Sequence, residues 1–242
     1  MKYVRSVIAL AGLCLGSVLL LVTLLLGLID RSGRAAWQVT RVWAWLTLYT
    51  SGMAGLSSRG FEKLANLKSA IIMSNHESLL DPVLVMALSK TPVRFLARRE
   101  LFYLPLFGWA MWANGHLAVN RGESADALFC LRRARAALSR GSLLCVYPEG
   151  RRSSGADLLP FKKGGFLLAL QTGVPIVPVG IARTAVVCPK GWHMPGRAPL
   201  TAVVGQPIET EALTVRQLDA LMADVRDRIL RLRRESNSCE LV

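Results

Sequence analysis

Hydrophobic residues follow three different patterns along the chain, and each pattern predicts a different kind of element. The first is an unbroken apolar run, because residues 7–29 contain no charged side chain over 23 positions. As an α-helix this run would measure roughly 35 Å, which exceeds the roughly 30 Å hydrocarbon core of a bilayer. It predicts a transmembrane helix. The alternative is a cleaved signal peptide, which is disfavoured because such hydrophobic regions are usually about 7–15 residues long.

The second pattern is aromatic. Residues 37–56 hold three tryptophans, a tyrosine and one charged residue, Arg41. Trp and Tyr prefer the headgroup level of a bilayer, so the segment is predicted to be a helix lying at or partly within the interface. The alternative is a second full span. We therefore expect residues 1–58 to form a membrane anchor and residues 59–242 to form a single further domain.

The third pattern begins near residue 60, where short apolar runs alternate with helix-like segments. Six runs are predicted to be strands: 69–74, 93–97, 116–119, 142–147, 174–181 and 200–205. Apolar positions recur at helical spacing in residues 124–140 and 214–234, and the second of these helices is expected to pack on the domain with a basic, solvated outer face. Alternating strands and helices are typical of an α/β domain.

The charge of the chain narrows its choice of partner. A net charge of +14 favours a polyanionic partner, which can be nucleic acid, a membrane surface or a phosphorylated substrate. Beside an apolar run of this length we expect the membrane and not nucleic acid. Three arginines follow the run within a short distance and two basic residues precede it, which favours a cytoplasmic position for the rest of the chain. The five cysteines are scattered singly, so no zinc site is indicated.

The candidate chemistry begins with His76, which directly follows the predicted strand 69–74, and with Asp81 five positions later. Asp81 before Pro82 fits a helix start, with the acid as N-cap and the proline in the first turn. A histidine held by a carboxylate can also act as a general base. No G-x-S-x-G or H-E-x-x-H motif is present, so a catalytic His76 would activate a substrate hydroxyl.

Three further stretches carry basic groups in loops or at strand ends: "GHLAVNRG", "VYPEGRRSS" and "PFKKGG". Loops are where functional side chains tend to be presented, and arginine with loop N–H groups suits a phosphate. The alternative is a solvated basic face. The candidate binding residues in these stretches are Arg121, Glu149, Arg151, Arg152 and Lys162.

Four blocks, in this order along the chain, resemble the blocks of the glycerolipid acyltransferases, the family of bacterial lysophosphatidic acid acyltransferases. They are "NHESLLD", "GHLAVNR", "YPEGRRS" and "VPIVPV", and they cover about residues 70–180. The resemblance implies that residues 59–242 form an acyltransferase domain with a mixed sheet flanked by helices. It also implies the inner membrane of a bacterium, with the catalytic domain facing the cytoplasm.

The resemblance assigns roles to single residues. It implies that His76 is the base, that Asp81 orients it, and that Arg121 binds the acceptor phosphate. It implies that Glu149 and Gly150 are parts of the acceptor site, and Arg152 matches the family's arginine. Arg151 and Lys162 are included as substrate-binding candidates because they are basic groups in the same loops. Arg151 stands where the family usually has threonine, and Tyr147 stands where it has phenylalanine.

The implied reaction moves an acyl group from acyl-CoA or acyl-ACP, as co-substrate, to the sn-2 hydroxyl of lysophosphatidic acid, without a cofactor. One alternative is another lysolipid acceptor, such as lyso-ornithine lipid. An alternative of another class is a membrane-anchored basic binding protein with no chemistry, which the histidine and its acid disfavour.

Overall fold

The computed structural model describes residues 34–120, 124–153, 157–190 and 196–238, together with five single positions between residues 7 and 26. Among these described residues, no helix combines the length and the apolar character needed to cross a bilayer. The transmembrane helix predicted for residues 7–29 lies almost entirely outside the described residues, so it stays a prediction.

A seven-stranded sheet forms the centre of the described residues. Its strands are β1 (Met53–Arg59), β2 (Ala70–Ser74), β3 (Val93–Arg98), β4 (Leu117–Val119), β5 (Leu143–Val146), β6 (Ile176–Ala182) and β7 (Ala198–Val204). They are arranged in the order β1-β7-β6-β2-β5-β3-β4. Strands β2 to β6 are parallel to one another, whereas β7 is antiparallel to β6 and parallel to β1. The α/β class and the mixed sheet are therefore confirmed, and each of the six predicted strands is present.

Helices cover both faces of this sheet. They are α1 (Arg34–Ser51), α2 (Leu80–Leu88), α3 (Phe107–Ala113), α4 (Ser124–Ser139), α5 (Gly164–Thr172), α6 (Thr184–Val187) and α7 (Leu218–Ser238). Short 3-10 turns occupy Phe61–Asn66, Arg99–Tyr103 and Val215–Gln217. The two helices predicted from apolar spacing correspond to α4 and α7.

The central strand β2 is buried on both sides, which explains its continuous apolar sequence. Ile72 belongs to a core formed with α1 and α2, whereas Ile71 and Met73 belong to a second core formed with α4, α5 and α7. Adjacent strand residues point to opposite faces, so one short strand joins both cores. This position makes β2 a rigid support for the loop that follows it.

The helix predicted for residues 37–56 ends earlier than expected. It is α1, which stops at Ser51, and the chain continues into β1 after Gly52. Gly52 has a φ of 108°, which ends the helix without strain. Strand β1 then pairs with β7 far along the chain, and local apolar spacing cannot reveal such a pairing. The division of the chain at residue 58 stays a prediction, although β1 crosses that position.

The aromatic residues of α1 lie on two different faces. Trp37 and Trp43 are buried in the protein core, and the Trp37 Nε1 donates a hydrogen bond to the carbonyl of Ser89 at 3.0 Å. On the other face, four exposed apolar residues are spaced as on one side of a helix, and we call them the apolar stripe of α1: Val42, Trp45, Leu46 and Tyr49. Two of the four aromatic residues in α1, Trp45 and Tyr49, therefore lie on the surface, and the other two lie in the core.

Candidate active site

Two loops meet at the carboxyl edge of the parallel strands. His76 lies two residues after the end of β2, and the loop 147–153 directly follows β5. Because β2 and β5 are parallel neighbours, with Met73 opposite Val146, their following loops emerge side by side. In α/β sheets this edge is where ligands usually bind.

His76 and Asp81 form a hydrogen-bonded pair. The His76 Nδ1 lies 2.8 Å from the Asp81 Oδ2, which also accepts hydrogen bonds from the backbone N–H groups of Glu77 at 2.7 Å and Ser78 at 2.8 Å. The other oxygen, Oδ1, accepts from the Thr184 hydroxyl at 2.5 Å. A fully buried carboxylate with four donors has a fixed orientation, and it fixes the imidazole in turn. The ring nitrogen that stays available for chemistry is Nε2.

The expected N-cap role of Asp81 is wrong. Helix α2 begins at Leu80, so Asp81 lies within its first turn, and its side chain caps no N–H of that helix. The carboxylate instead turns back and accepts from the loop that carries His76. The helix start itself is where the sequence predicts it, within the one or two residues by which helix ends are uncertain.

The second loop holds His76 through its backbone and its ring. The Glu149 Oε1 accepts from the His76 N–H at 2.9 Å, and the Glu149 Oε2 accepts from the Leu159 N–H at 2.8 Å. The Ser153 N–H donates to the His76 carbonyl at 2.8 Å. The Tyr147 ring stacks on the imidazole with centroids 4.2 Å apart. Glu149 is therefore brought to the site as the sequence predicts, but it contacts the histidine backbone.

The ring of Tyr147 contributes to this site by packing against the imidazole of His76. Its hydroxyl is buried beside the Cys145 thiol and makes no hydrogen bond of ordinary geometry within the described residues. Burial raises the pKa of Tyr147 well above its ordinary value, so the phenol stays neutral. Replacing the family's phenylalanine by tyrosine thus leaves the stacked ring in place and adds no acid or base.

Three carboxylates surround the histidine: Glu77, Asp81 and Glu149. Burial raises the pKa of Glu77, and the charge of Arg233 opposes this rise. Burial also raises the pKa of Glu149, and the hydrogen bonds from Leu159 and His76 oppose this rise.

Within the described part of the chain, no three His, Cys, Asp or Glu side chains are grouped so that they could hold a metal ion.

Gly150 and Lys162, both predicted binding residues, lie against each other. Gly150 has a φ of 69°, and a Cβ built on it would lie 2.8 Å from the Lys162 Cε. The Lys162 N–H donates to the Pro148 carbonyl at 2.8 Å. The positive φ favours glycine at this position, and the exposed lysine chain lies across it.

The three predicted arginines have different surroundings. Arg152 is half-buried, and its Nη1 is shielded from solvent without a hydrogen-bond partner among the described residues. Its charge lies close enough to Cys188 to oppose the rise that burial causes in the pKa of that thiol. Arg151 is exposed. Arg121 lies outside the described residues, so its role stays a prediction.

Several partners of the site were not indicated by the sequence pattern. Thr184 follows β6, the other parallel neighbour of β2, so the rule that loops meet at one sheet edge places it here only once the strand order is known. Arg226 and Arg233 lie on α7, where a basic solvated face is the expectation. That expectation is wrong for both: the Arg233 side chain is only 15% exposed, and Arg226 is half-buried.

Known proteins share the sequence and the fold. A family model described as Acyltransferase matches residues 56–182. A 1-acyl-sn-glycerol-3-phosphate acyltransferase of Saccharomyces cerevisiae is 31% identical over 234 residues, which cover 94% of this chain and 76% of that protein. A human 1-acyl-sn-glycerol-3-phosphate acyltransferase beta is 34% identical over 161 residues, covering 66% of this chain and 58% of that protein.

Other relatives are longer, and one solved structure is of matching extent. The chloroplastic enzyme of Arabidopsis thaliana is 32% identical over 154 residues, 63% of this chain, and the chain spans 42% of its length. The crystal structure of a 1-acyl-sn-glycerophosphate acyltransferase from Thermotoga maritima aligns over 100% of both chains with a TM-score of 0.82 at 21% identity, so it shares the fold. The family match and the similarity along the whole yeast relative show that this chain belongs to the glycerolipid acyltransferase family.

Proposed function

We propose that the protein transfers an acyl group from an acyl thioester to the sn-2 hydroxyl of lysophosphatidic acid, which gives phosphatidic acid. The observation that carries the proposal is the His76–Asp81 pair, joined at 2.8 Å on the carboxyl edge of the sheet. The printed names of the yeast, human and plant relatives, all 1-acyl-sn-glycerol-3-phosphate acyltransferases, support the same acceptor.

The chemistry follows from the orientation of the imidazole. With Nδ1–H donated to Asp81, the lone pair on Nε2 of His76 takes the proton of the acceptor hydroxyl while that oxygen attacks the thioester carbonyl. The tetrahedral intermediate expels the thiolate of the donor, and the imidazolium returns the proton to it. The Asp81 charge stabilises the imidazolium between these two steps. No covalent acyl-enzyme is needed.

The acceptor phosphate would be bound by basic groups around the loop after β5. Arg152 is the best supported of them, because its Nη1 is shielded from solvent and lacks a hydrogen-bond partner in the described residues. A guanidinium can bind a phosphate with two parallel hydrogen bonds. Lys162, lying across Gly150, supplies a second cation beside the same loop. Arg151 and Arg121 complete the proposed set on the basis of the sequence.

We also infer that the protein works at the inner membrane of a bacterium, with its catalytic domain on the cytoplasmic side. The uncharged run at residues 7–29 and the apolar stripe of α1 support contact with lipid. Helix α3 packs beside α1, with the rings of Trp43 and Phe107 5.9 Å apart, and it exposes about half of both Trp109 and Trp112. Membrane contact would keep the site close to its lipid acceptor.

An acceptor panel tests this function. Purified protein in mixed micelles is given radiolabelled acyl-CoA or acyl-ACP with lysophosphatidic acid, lysophosphatidylcholine or lyso-ornithine lipid. We expect labelled phosphatidic acid, and we expect His76→Ala to lower kcat by about 100-fold or more through loss of the general base. Transfer to lyso-ornithine lipid alone would show that the acceptor is wrong. No transfer to any lysolipid, or full turnover by the His76→Ala variant, would contradict the proposed enzyme.

A further inference from the structure

Two arginines of the carboxyl-terminal helix α7 have side chains that contact the loops of the active site. Two of its other arginines make ion pairs along the helix, Arg228 with Asp224 at 2.9 Å and Arg231 with Asp227 at 2.7 Å. Arg226 and Arg233, seven residues apart and therefore on one side of the helix, bond to the loops next to His76.

Arg233 bonds to the residue that follows the histidine. Its Nε lies 2.6 Å from the Glu77 Oε1, an ion pair whose angle is too bent for a hydrogen bond, and both side chains are at most 15% exposed. The same Glu77 oxygen accepts from the Asn75 amide at 3.1 Å, and Asn75 exchanges two hydrogen bonds with the backbone of Ile181 in β6. The residues on either side of His76 are thus tied to β6 and to α7.

Arg226 reaches the histidine through a second route. Its Nη1 and Nη2 donate to the carbonyls of Leu159 at 2.8 Å and Leu158 at 2.6 Å. The N–H of Leu159 donates to one oxygen of Glu149, whose other oxygen accepts from the His76 N–H. A lysine has no planar pair of donors, so it cannot hold both carbonyls in the same way.

A buried ion pair does little for stability, because the loss of hydration offsets most of the attraction. Its effect here is on position and charge. Glu77 lies close enough to Asp81 and Glu149 to feel their negative charges, and Arg233 is the cation that balances it. Without Arg233, an uncompensated acid would be left next to the catalytic loop and would repel its neighbours.

We propose that α7 is a brace for the catalytic histidine, with Arg233 acting through Glu77 and Arg226 acting through the 158–159 loop and Glu149. Both arginines are positioning residues, since neither touches the proposed reacting atoms. This inference rests on the proposed acyl transfer, in which His76 is the base. An error of about 1 Å in the position of a base costs up to about 100-fold in rate.

The test compares Arg226→Met and Arg233→Met with Arg231→Met, an exposed arginine of the same helix that serves as the matched control. We expect kcat to fall about 10-fold or more in the first two variants, with KM for donor and acceptor little changed and the control at the wild-type level. Arg233→Met combined with Glu77→Gln should recover much of the lost kcat, because the uncompensated acid is gone. Arg226→Lys should recover only part.

A second readout does not depend on activity. Hydrogen exchange in the backbone of residues 75–81, followed by mass spectrometry on the full chain, should accelerate in both variants and not in the control, since the His76 N–H is held by Glu149. If the wild-type protein transfers acyl groups, and if neither Arg226→Met nor Arg233→Met changes kcat or the exchange rate, the brace is overturned and the proposed function stands. If the wild-type protein transfers no acyl group, but hydrogen exchange accelerates in the two variants and not in the control, the proposed function is overturned and the brace stands.

Discussion

Asp81 accepts hydrogen bonds from four different residues, and these bonds fix the orientation of its carboxylate. Two of the donors are backbone N–H groups of its own loop, one is His76, and one is the hydroxyl of Thr184, 103 positions away along the chain. A carboxylate so fully bonded cannot rotate without leaving a buried donor unpaired. The ring of His76 is therefore held in one orientation before any substrate arrives.

Glu149 provides a prediction at the same scale. Each of its oxygens accepts one N–H, from His76 and from Leu159, so Glu149→Gln would place an amide N–H₂ against a backbone donor. We expect kcat to fall about 10-fold or more and stability to fall by about 1–3 kcal/mol, despite the equal size of the side chains. Steady-state kinetics and urea unfolding measure the two effects.

Glu211→Gln is a suitable control for that variant because Glu211 is exposed. If Glu149→Gln kept the wild-type kcat, the carboxylate of Glu149 would be unnecessary and its link to the histidine backbone would have no role in the reaction.

The residues of the site divide by whether their contacts are local in sequence. His76 and Asp81 are predictable because a single seven-residue block contains both. Thr184 and Arg233 are not, since their contacts depend on which strand lies next to β2 and on where α7 packs. The sign of a charge says nothing about its partner, so the buried Arg233 has the same appearance in the sequence as its exposed neighbours.

At the scale of single elements, α1 shows where pattern analysis loses information. Aromatic and aliphatic residues lie around most of its circumference, and the sequence alone cannot separate those that face protein from those that face outward. The structure buries Trp43 at 3% exposure and leaves Trp45 at 40%. Strand β1 was missed for a related reason: its partner β7 is about 145 positions further on, and its own sequence has little alternation.

The two tryptophans allow a direct test of the apolar stripe. In vesicles made with brominated phospholipids, which quench tryptophan at acyl-chain depth, Trp45→Phe should reduce the quenched fraction of the fluorescence. Trp43→Phe, which removes a buried ring, should not reduce it. Equal behaviour of the two variants would show that α1 does not present this stripe to lipid. The full chain is used, because the uncharged run at residues 7–29 is predicted to attach it to the membrane.

At the scale of the whole molecule, the alternation of apolar runs and helices predicts the class of the fold and each of six strands. It does not predict the strand order or the reversal at β7, because both depend on contacts between distant segments. The length and the burial of β2 are predictable in principle: a short run with four successive apolar residues fits a strand covered on both faces.

His116 makes global stability dependent on pH. It is 2% exposed, its Nδ1 accepts from the Phe95 N–H at 3.2 Å, and burial lowers the pKa of His116 to about 4. The unfolded chain binds this proton near pH 6.5 and the folded chain only near pH 4, so between these values the unfolded state holds more protons. Stability from this residue is complete above pH 6.5 and falls as the pH drops towards 4, by up to about 3 kcal/mol.

The variant His116→Gln keeps an acceptor for Phe95 and removes the titration. Urea unfolding at pH 7 and pH 5 should therefore show a smaller loss of stability on acidification in this variant than in the wild type. An identical loss in both proteins would mean that His116 takes up its proton as easily when folded as when unfolded.

The position of β2 in the middle of the sheet also decides when the His76–Asp81 pair can form during synthesis of the chain. Its two neighbours start at Leu143 and Ile176, and the helix that covers β6 ends only at Ser238. A nascent chain thus carries β2 with both edges unpaired until β5 is made, about 70 residues later, and with one edge unpaired until β6 is made, about 100 residues later. A strand with unpaired edges is prone to aggregation. Pairings between such distant segments also make folding slow. The His76–Asp81 pair consequently takes up its geometry only after β6 and α7 have been made, so a chain that lacks these elements is expected to lack the proposed acyl-transfer activity.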